Sequence, residues 1–153
     1  MSVVSTDALG EAARAVTTRV SHPDLHLGHR VDHRTYYTSN VPERLLADAL
    51  RAHHALLPHL VRTIASPHLR AVWIEAPQTT IRSRLEADSH FVRGAADPAL
   101  LIERFVSRSA RMSDWLGEQA AACGLPYVML SGSESPPEVA ARCLEAMGVT
   151  PAQ

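Results

Sequence analysis

The sequence predicts an α/β fold that is rich in helix, with a short parallel sheet of about three strands. Long segments carry apolar residues at helical spacing, and short apolar runs between them end at turn residues. Helices that alternate with such strands are typical of a parallel sheet with helical crossovers. The chain has 153 residues, of which 46% are hydrophobic, so we expect one domain over residues 1–153.

The first part of the chain predicts one strand and two helices. In order, these are a short strand over Ser2–Thr6, a helix that Asp7 caps and that extends to about Val20, and a long helix that Pro42 opens and that ends near Ile64. Pro58 lies inside the long apolar pattern, and we expect it to kink or split the helix. Residues 21–40 show no periodicity and contain Pro23 and Gly28, which predicts a loop or lid.

The second part predicts two strands, each followed by helix. These are a strand over Leu69–Ile74, a helix from Thr79 to about Ala87, a helix capped by Asp97 and ended by Gly124, a strand over Pro126–Leu130, and a helix from Pro136 or Pro137 to about Met147. A turn over Ser131–Ser135 precedes the last helix.

Composition excludes several classes of function. The chain contains no lysine, so all fifteen Lys-or-Arg positions are arginine, and the formal net charge is −1. Because acids and arginines are interspersed, nothing indicates a nucleic-acid or membrane partner. No apolar run approaches the length of a membrane span, and the N-terminus lacks the pattern of a signal peptide. We therefore expect a cytoplasmic protein in which Cys123 and Cys143 are reduced core thiols.

Three arginines in the second part of the chain form a candidate anion site. Arg104, Arg108 and Arg111 are spaced i, i+4, i+7, which places them within roughly 60° of one another on a helix. Guanidinium groups bind phosphate oxygens in a bidentate manner and keep their charge. Further candidates nearby are Arg82, Arg84 and Arg93. The alternative is a solvated helix flank that pairs with Glu103 and Asp114.

Two further features could contact a substrate. Asp7 follows a predicted strand, where a carboxylate could accept a proton from a substrate hydroxyl; the alternative is a helix cap. Tyr36 and Tyr37 could stack on a substrate ring, or they could pack onto the core instead.

Four histidines lie in the predicted loop. His22, His26, His29 and His33 have a spacing that can ligate zinc or nickel. Since Pro23 and Gly28 interrupt a continuous helix, a polar lid without metal is the preferred interpretation.

Several segments together resemble small-molecule kinases of the P-loop superfamily, a group that includes gluconate-, shikimate- and 2-phosphoglycerate-kinase-like proteins and related AAA-type ATPases. The segments are Val3–Leu9, Leu69–Pro77 with Ile81–Leu85, Glu103–Ser109, Ala120–Val128 and Pro137–Ala140. The resemblance implies ATP and Mg²⁺ as the cofactors of the family. It also implies Asp7 as a substrate-side base or metal-linked acid, and Arg104, Arg108 and Arg111 as phosphate contacts in a lid. Arg82, Arg84, Tyr36 and Tyr37 would be substrate or lid residues.

The sequence departs from that family at its most important motif. It contains no G-x-x-x-x-G-K-[ST] pattern and no lysine that could reach the ATP phosphates. We therefore expect a truncated or degenerate relative, incomplete at its N-terminus, that binds a small anionic or phosphorylated molecule without ATP or Mg²⁺. Two alternatives stay open: a non-enzymatic helical interaction module, such as a homodimer, and a metal-binding protein with a histidine lid.

Overall fold

The structure is a computed structural model that describes residues 6–27 and 32–149, with only the backbone described at Thr6 and Asp7. The chain forms two compact units, Met1–Leu69 and Arg70–Gln153. We call them the N-terminal unit and the C-terminal unit and describe each by itself.

The described part of the N-terminal unit is helical. Its elements are α1 (Thr6–Ala15), a 3-10 helix (Pro23–His26), α2 (His33–Ser39) and α3 (Pro42–Ile64). Pro42 begins α3 as predicted, because a proline in the first turn loses no helical hydrogen bond. Helix α3 continues through Pro58, so of the expected kink or split the helix does not show the split.

The structure of residues 21–40 differs from the prediction. Residues 21–40 are not a structureless loop, since the 3-10 helix and α2 lie within them. Helix α2 begins where the Asp32 carboxylate accepts the main-chain N–H of Arg34 at 2.9 Å.

Helix α1 also differs from the prediction at both ends. It ends at Ala15 and not near Val20. It begins at Thr6, so Asp7 lies in its first turn and is not its cap. The strand expected over Ser2–Thr6 lies outside the described residues except at Thr6, which is helical.

The core of the N-terminal unit lies along α3. Leu45 is fully buried, Leu25 of the 3-10 helix is 2% exposed, and Tyr37 of α2 is also buried. The 3-10 helix and α1 both pack against α3. An ion pair between Arg51 and Asp24 connects α3 to the 3-10 helix.

The C-terminal unit is an α/β arrangement. Its elements are β1 (Trp73–Glu75), α4 (Gln78–Ala87), α5 (Ser89–Val92), α6 (Pro98–Ala122), β2 (Tyr127–Met129) and α7 (Pro136–Ala146). Both strands predicted here are present, in shorter form, and α4, α6 and α7 are confirmed. The short helix α5 was not predicted; the Asp88 carboxylate caps it by accepting the main-chain N–H groups of His90 and Phe91.

Strands β1 and β2 pair in parallel, with Trp73 opposite Tyr127 and Ile74 opposite Val128. The core of this unit is formed mainly by α6, on which Leu101 is fully buried, and by Val128 and Leu130 around β2. Within the described ranges the sheet has two strands, so the third one predicted is not among them.

Two remaining expectations concern thiols and membranes. Cys123 and Cys143 are both free; Cys143 is buried as expected, whereas Cys123 is exposed and is not a core residue. Among residues 6–27 and 32–149, no helix has the length and apolar character needed to cross a bilayer.

Candidate functional site

The carboxyl ends of the two parallel strands define a candidate site in the C-terminal unit. Strand β1 ends at Glu75 and leads through Pro77 into α4, and β2 ends at Met129 and leads through Ser131–Ser135 into α7. Because the strands are parallel, both helices begin at the same edge of the sheet. Ligands of α/β proteins bind at this edge, where helix N-termini favour anions. We call it the carboxyl-end edge.

Residues Ser131–Ser135, which we call the Glu134 loop, fold around one carboxylate. The main-chain N–H of Ser131 donates to both oxygens of Glu134, at 2.7 and 3.0 Å, and the N–H of Gly132 donates at 2.9 Å. Arg142 of α7 donates from Nη1 to the same carboxylate and from Nη2 to the main-chain oxygen of Met129 at 2.7 Å. The loop is therefore tied to both β2 and α7.

These contacts stabilise the charged form of Glu134. The main-chain hydrogen bond from Ser131, with that from Gly132, lowers the pKa of Glu134 to about 2. Next to it, the Ser135 hydroxyl and N–H both donate to the Glu138 carboxylate at 2.7 Å at the start of α7, and these hydrogen bonds lower the pKa of Glu138. Both carboxylates are thus ionised at neutral pH.

The Glu134 loop also packs closely on the start of α4. Gly132 has a φ of +94°, in the region that favours glycine. A Cβ atom at this position would overlap Oγ1 of Thr80 and would lie 3.2 Å from the Cβ of Thr80. The two segments that follow β1 and β2 are therefore in direct contact at the carboxyl-end edge.

The arginine stripe predicted from the sequence lies on one continuous helix, α6. Arg104 and Arg108 are half-buried and Arg111 is exposed. The guanidinium carbon of Arg108 lies 5.1 Å from the centroid of the Phe105 ring, and Phe105 contacts Phe91 edge-on at 5.2 Å. At this distance the positive charge is attracted electrostatically to the face of the ring.

The direction of α6 places this stripe with respect to the sheet. Helix α6 leads directly into β2, so it runs back toward the amino ends of the strands. Gly117, in its second half, lies close to Trp73 at the start of β1, since a Cβ there would be 3.8 Å from the Trp73 indole nitrogen. The part of α6 before Gly117, which carries Arg104, Arg108 and Arg111, consequently extends toward the carboxyl-end edge.

The other predicted arginines lie on neighbouring elements of the same unit. Arg82 and Arg84 are exposed on α4, which packs against α6, and Arg93 is exposed directly after α5. All the predicted arginine candidates therefore belong to the C-terminal unit.

The remaining predicted contacts belong to the N-terminal unit. The backbone of Asp7 lies in α1, and its side chain is outside the described atoms. Tyr37 is buried and contacts Tyr36 edge-on at 5.5 Å. The Tyr36 hydroxyl donates to Oδ2 of the buried Asp48 at 3.2 Å, and Arg44 Nε donates to the same oxygen at 2.9 Å. The hydrogen bond to Asp48 raises the pKa of Arg44.

The histidines of the predicted loop make separate polar contacts. Nδ1 of His22 lies 3.0 Å from the hydroxyl of Ser21, and Nε2 of His26 lies 3.3 Å from that of Thr17. His33 begins α2, and His29 lies outside the described residues. In the described part of the chain, no three His, Cys, Asp or Glu side chains are grouped to hold a metal ion.

Sequence reasoning missed Glu134 and Arg142. It assigned only a turn to Ser131–Ser135, because serine and glycine dominate the segment. The available signal was an acid within a Ser/Gly-rich turn after a strand, followed by an arginine two helical turns later.

Compared with protein-family models, curated proteins and solved structures, the chain gives no significant match.

Proposed function

We propose that the C-terminal unit binds a small anionic molecule that carries a phosphate group, with Arg104, Arg108 and Arg111 as its cationic contacts. One observation carries the proposal: the three arginines share one stripe on the part of α6 before Gly117, which extends toward the carboxyl-end edge. Ligands of α/β units bind at that edge, and arginine forks match phosphate oxygens.

The proposal includes descent from a kinase-like ancestor without its ATP chemistry. The resemblance of segments such as Val3–Leu9, Leu69–Pro77 and Glu103–Ser109 to P-loop small-molecule kinases supports this descent. The sequence has no lysine and no Walker A pattern to hold the ATP phosphates. In this proposal the unit binds a phosphorylated ligand, and phosphoryl transfer from Mg-ATP is not its activity.

Calorimetric titration of the 153-residue chain with pyrophosphate, and separately with Mg-ATP, tests the proposal. The variant R104Q/R108Q/R111Q removes three charges from α6, and R19Q/R62Q/R70Q removes three exposed charges elsewhere. We expect pyrophosphate binding that the first variant weakens by at least about tenfold, at roughly 1.4 kcal/mol per factor of ten, and that the second retains. An equal loss of pyrophosphate affinity in both variants would show that binding depends only on the overall charge of the chain. Micromolar affinity for Mg-ATP would contradict the degenerate character of the site.

A second candidate function, a homodimeric interaction module, is favoured by the exposure of the strand pair. Tyr127 and Met129, which share one face of the strand pair, are 49% and 44% exposed, although parallel sheets are normally covered on both faces. Light scattering measures the mass in solution, and M129E should dissociate a dimer formed through this surface. A wild-type monomer at all concentrations rejects this candidate.

A further inference from the structure

We propose that the Glu134 loop is an anion-binding nest that the chain's own Glu134 carboxylate occupies, so that a phosphate group reaches these donors only when Glu134 is displaced. The inference rests on the proposed function, and it adds a second anion subsite and a form of self-inhibition. It concerns only contacts within the C-terminal unit.

The donors of the loop are those that a phosphate group requires. Two consecutive main-chain N–H groups, of Ser131 and Gly132, point at one anion, and the guanidinium group of Arg142 reaches the same anion. Successive N–H groups next to a residue of positive φ form the concave nests that hold phosphates, and Gly132 supplies that conformation. Carboxylate and phosphate both present oxygen pairs to such donors.

The nest keeps its shape through contacts that do not involve the carboxylate. Arg142 stays anchored by its second nitrogen, which donates to the main-chain oxygen of Met129 at 2.7 Å. The close approach of Gly132 to Thr80 fixes the backbone of the loop against α4. The hydroxyl groups of Ser131 and Ser133, 2.8 Å apart, lie next to the nest as further polar contacts. When the Glu134 side chain leaves, the donors therefore remain in place.

Access to the nest is possible from solvent. The Arg142 side chain is 43% exposed, whereas that of Glu134 is 12% exposed. A phosphate group must compete with the Glu134 carboxylate, which is tethered at high effective concentration. The apparent affinity for phosphate therefore equals the affinity of the open nest multiplied by the fraction of time that the nest is open. If the open state has a population of about 1–10%, removal of the carboxylate raises phosphate affinity about 10- to 100-fold.

Amide NMR spectra during titration with inorganic phosphate, at constant ionic strength, test this inference. The variants are E134A, which empties the nest, E134A/R142Q, which also removes its guanidinium group, and E145A, which removes an exposed acid of α7. We expect the Ser131 and Gly132 amide signals of E134A to shift at phosphate concentrations about 10- to 100-fold below those needed for wild type. E145A should behave as wild type, and E134A/R142Q should lose the gain.

Three results would overturn the inference. One is a folded E134A whose two amide signals do not respond to phosphate. Another is an equal gain in E145A, which would indicate a general effect of charge. The third is loss of the native spectrum in both E134A and E134Q, because a loop that needs the carboxylate to fold is not a preformed nest.

The same titration separates this inference from the proposed function. Adding R104Q/R108Q/R111Q to E134A should leave the Ser131 and Gly132 responses intact if the nest binds phosphate by itself. Pyrophosphate binding that depends on the α6 arginines while both amides stay silent would support the proposed function and reject the nest.

Discussion

Substitution of Gly132 by alanine is the most direct test of how the carboxyl-end edge is built. A non-glycine residue at a φ of +94° costs about 1–3 kcal/mol. The new Cβ would overlap Oγ1 of Thr80, and moving that side chain off its rotamer costs about 0.5–1.5 kcal/mol more. Loss of glycine's freedom in the unfolded chain offsets about 0.4–1 kcal/mol. We expect a net destabilisation of about 0.5–4 kcal/mol, which lowers Tm by roughly 1–16 °C.

Two other glycines provide matched controls for this measurement. Gly124 and Gly148 also have positive φ, +66° and +67°, but a Cβ at either position meets no atom within 4 Å. In urea unfolding, G132A should lose more stability than G124A or G148A, and T80A, which removes the overlapping Oγ1, should reduce the excess. That coupling should amount to about 0.5–1.5 kcal/mol in a double-mutant cycle. If G132A is no more destabilising than G124A, the contact with Thr80 does not exist as described.

Three further predictions concern stability. Replacing the fully buried Leu101 with alanine should cost about 2–5 kcal/mol in urea unfolding, and a loss below 1 kcal/mol would contradict its central place in the core. Replacing Asp97 with alanine removes the cap that accepts the Leu100 N–H at 2.9 Å, and thermal unfolding should show a loss of about 0.5–2 kcal/mol. Because folding lowers the pKa of Glu134 from 4.5 to about 2, its contribution is full above pH 4.5 and is lost as the pH falls toward 2. Wild type should therefore lose stability more steeply than E134Q over that range, and parallel pH curves would refute this.

The helices that sequence reasoning placed correctly are those whose ends carry a local signal. Pro42 and Pro136 begin α3 and α7, Asp97 caps α6, and Gly124 follows its end with a φ of +66°. Each signal acts within one turn of helix, so it does not depend on the rest of the fold. An apolar stripe of several turns then extended the same predictions along the chain.

Residues 21–40 were misread because their structure depends on a contact with distant residues. Tyr37 is the buried residue of α2, and a single apolar contact every two turns gives no detectable period. The hydroxyl of its neighbour Tyr36 is fixed by Asp48, which lies twelve residues later on α3. Proximity of this kind arises from folding and cannot be counted along the sequence.

The two parts of the candidate site also differ in whether the sequence could predict them. The stripe of Arg104, Arg108 and Arg111 follows from helical geometry alone, so the sequence was enough to predict it. The nest around Glu134 depends on a carboxylate, two main-chain N–H groups and Arg142 converging, and main-chain groups have no sequence identity that could reveal them.

The chain contains no lysine, and at some positions its arginines make contacts that depend on the shape of the guanidinium group. Arg142 holds the Glu134 carboxylate with one nitrogen and the main-chain oxygen of Met129 with another, which joins the loop to β2. Arg108 presents a planar group to the Phe105 ring. A lysine ammonium group would keep the charge at either site, but it is a compact point charge without a rigid fork, so it would not span the two acceptors of Arg142 in the same manner. The planar guanidinium fork also matches the oxygens of a phosphate group. A surface whose basic residues are all arginine can therefore bind phosphate, although it lacks the lysine that ATP chemistry in P-loop proteins requires.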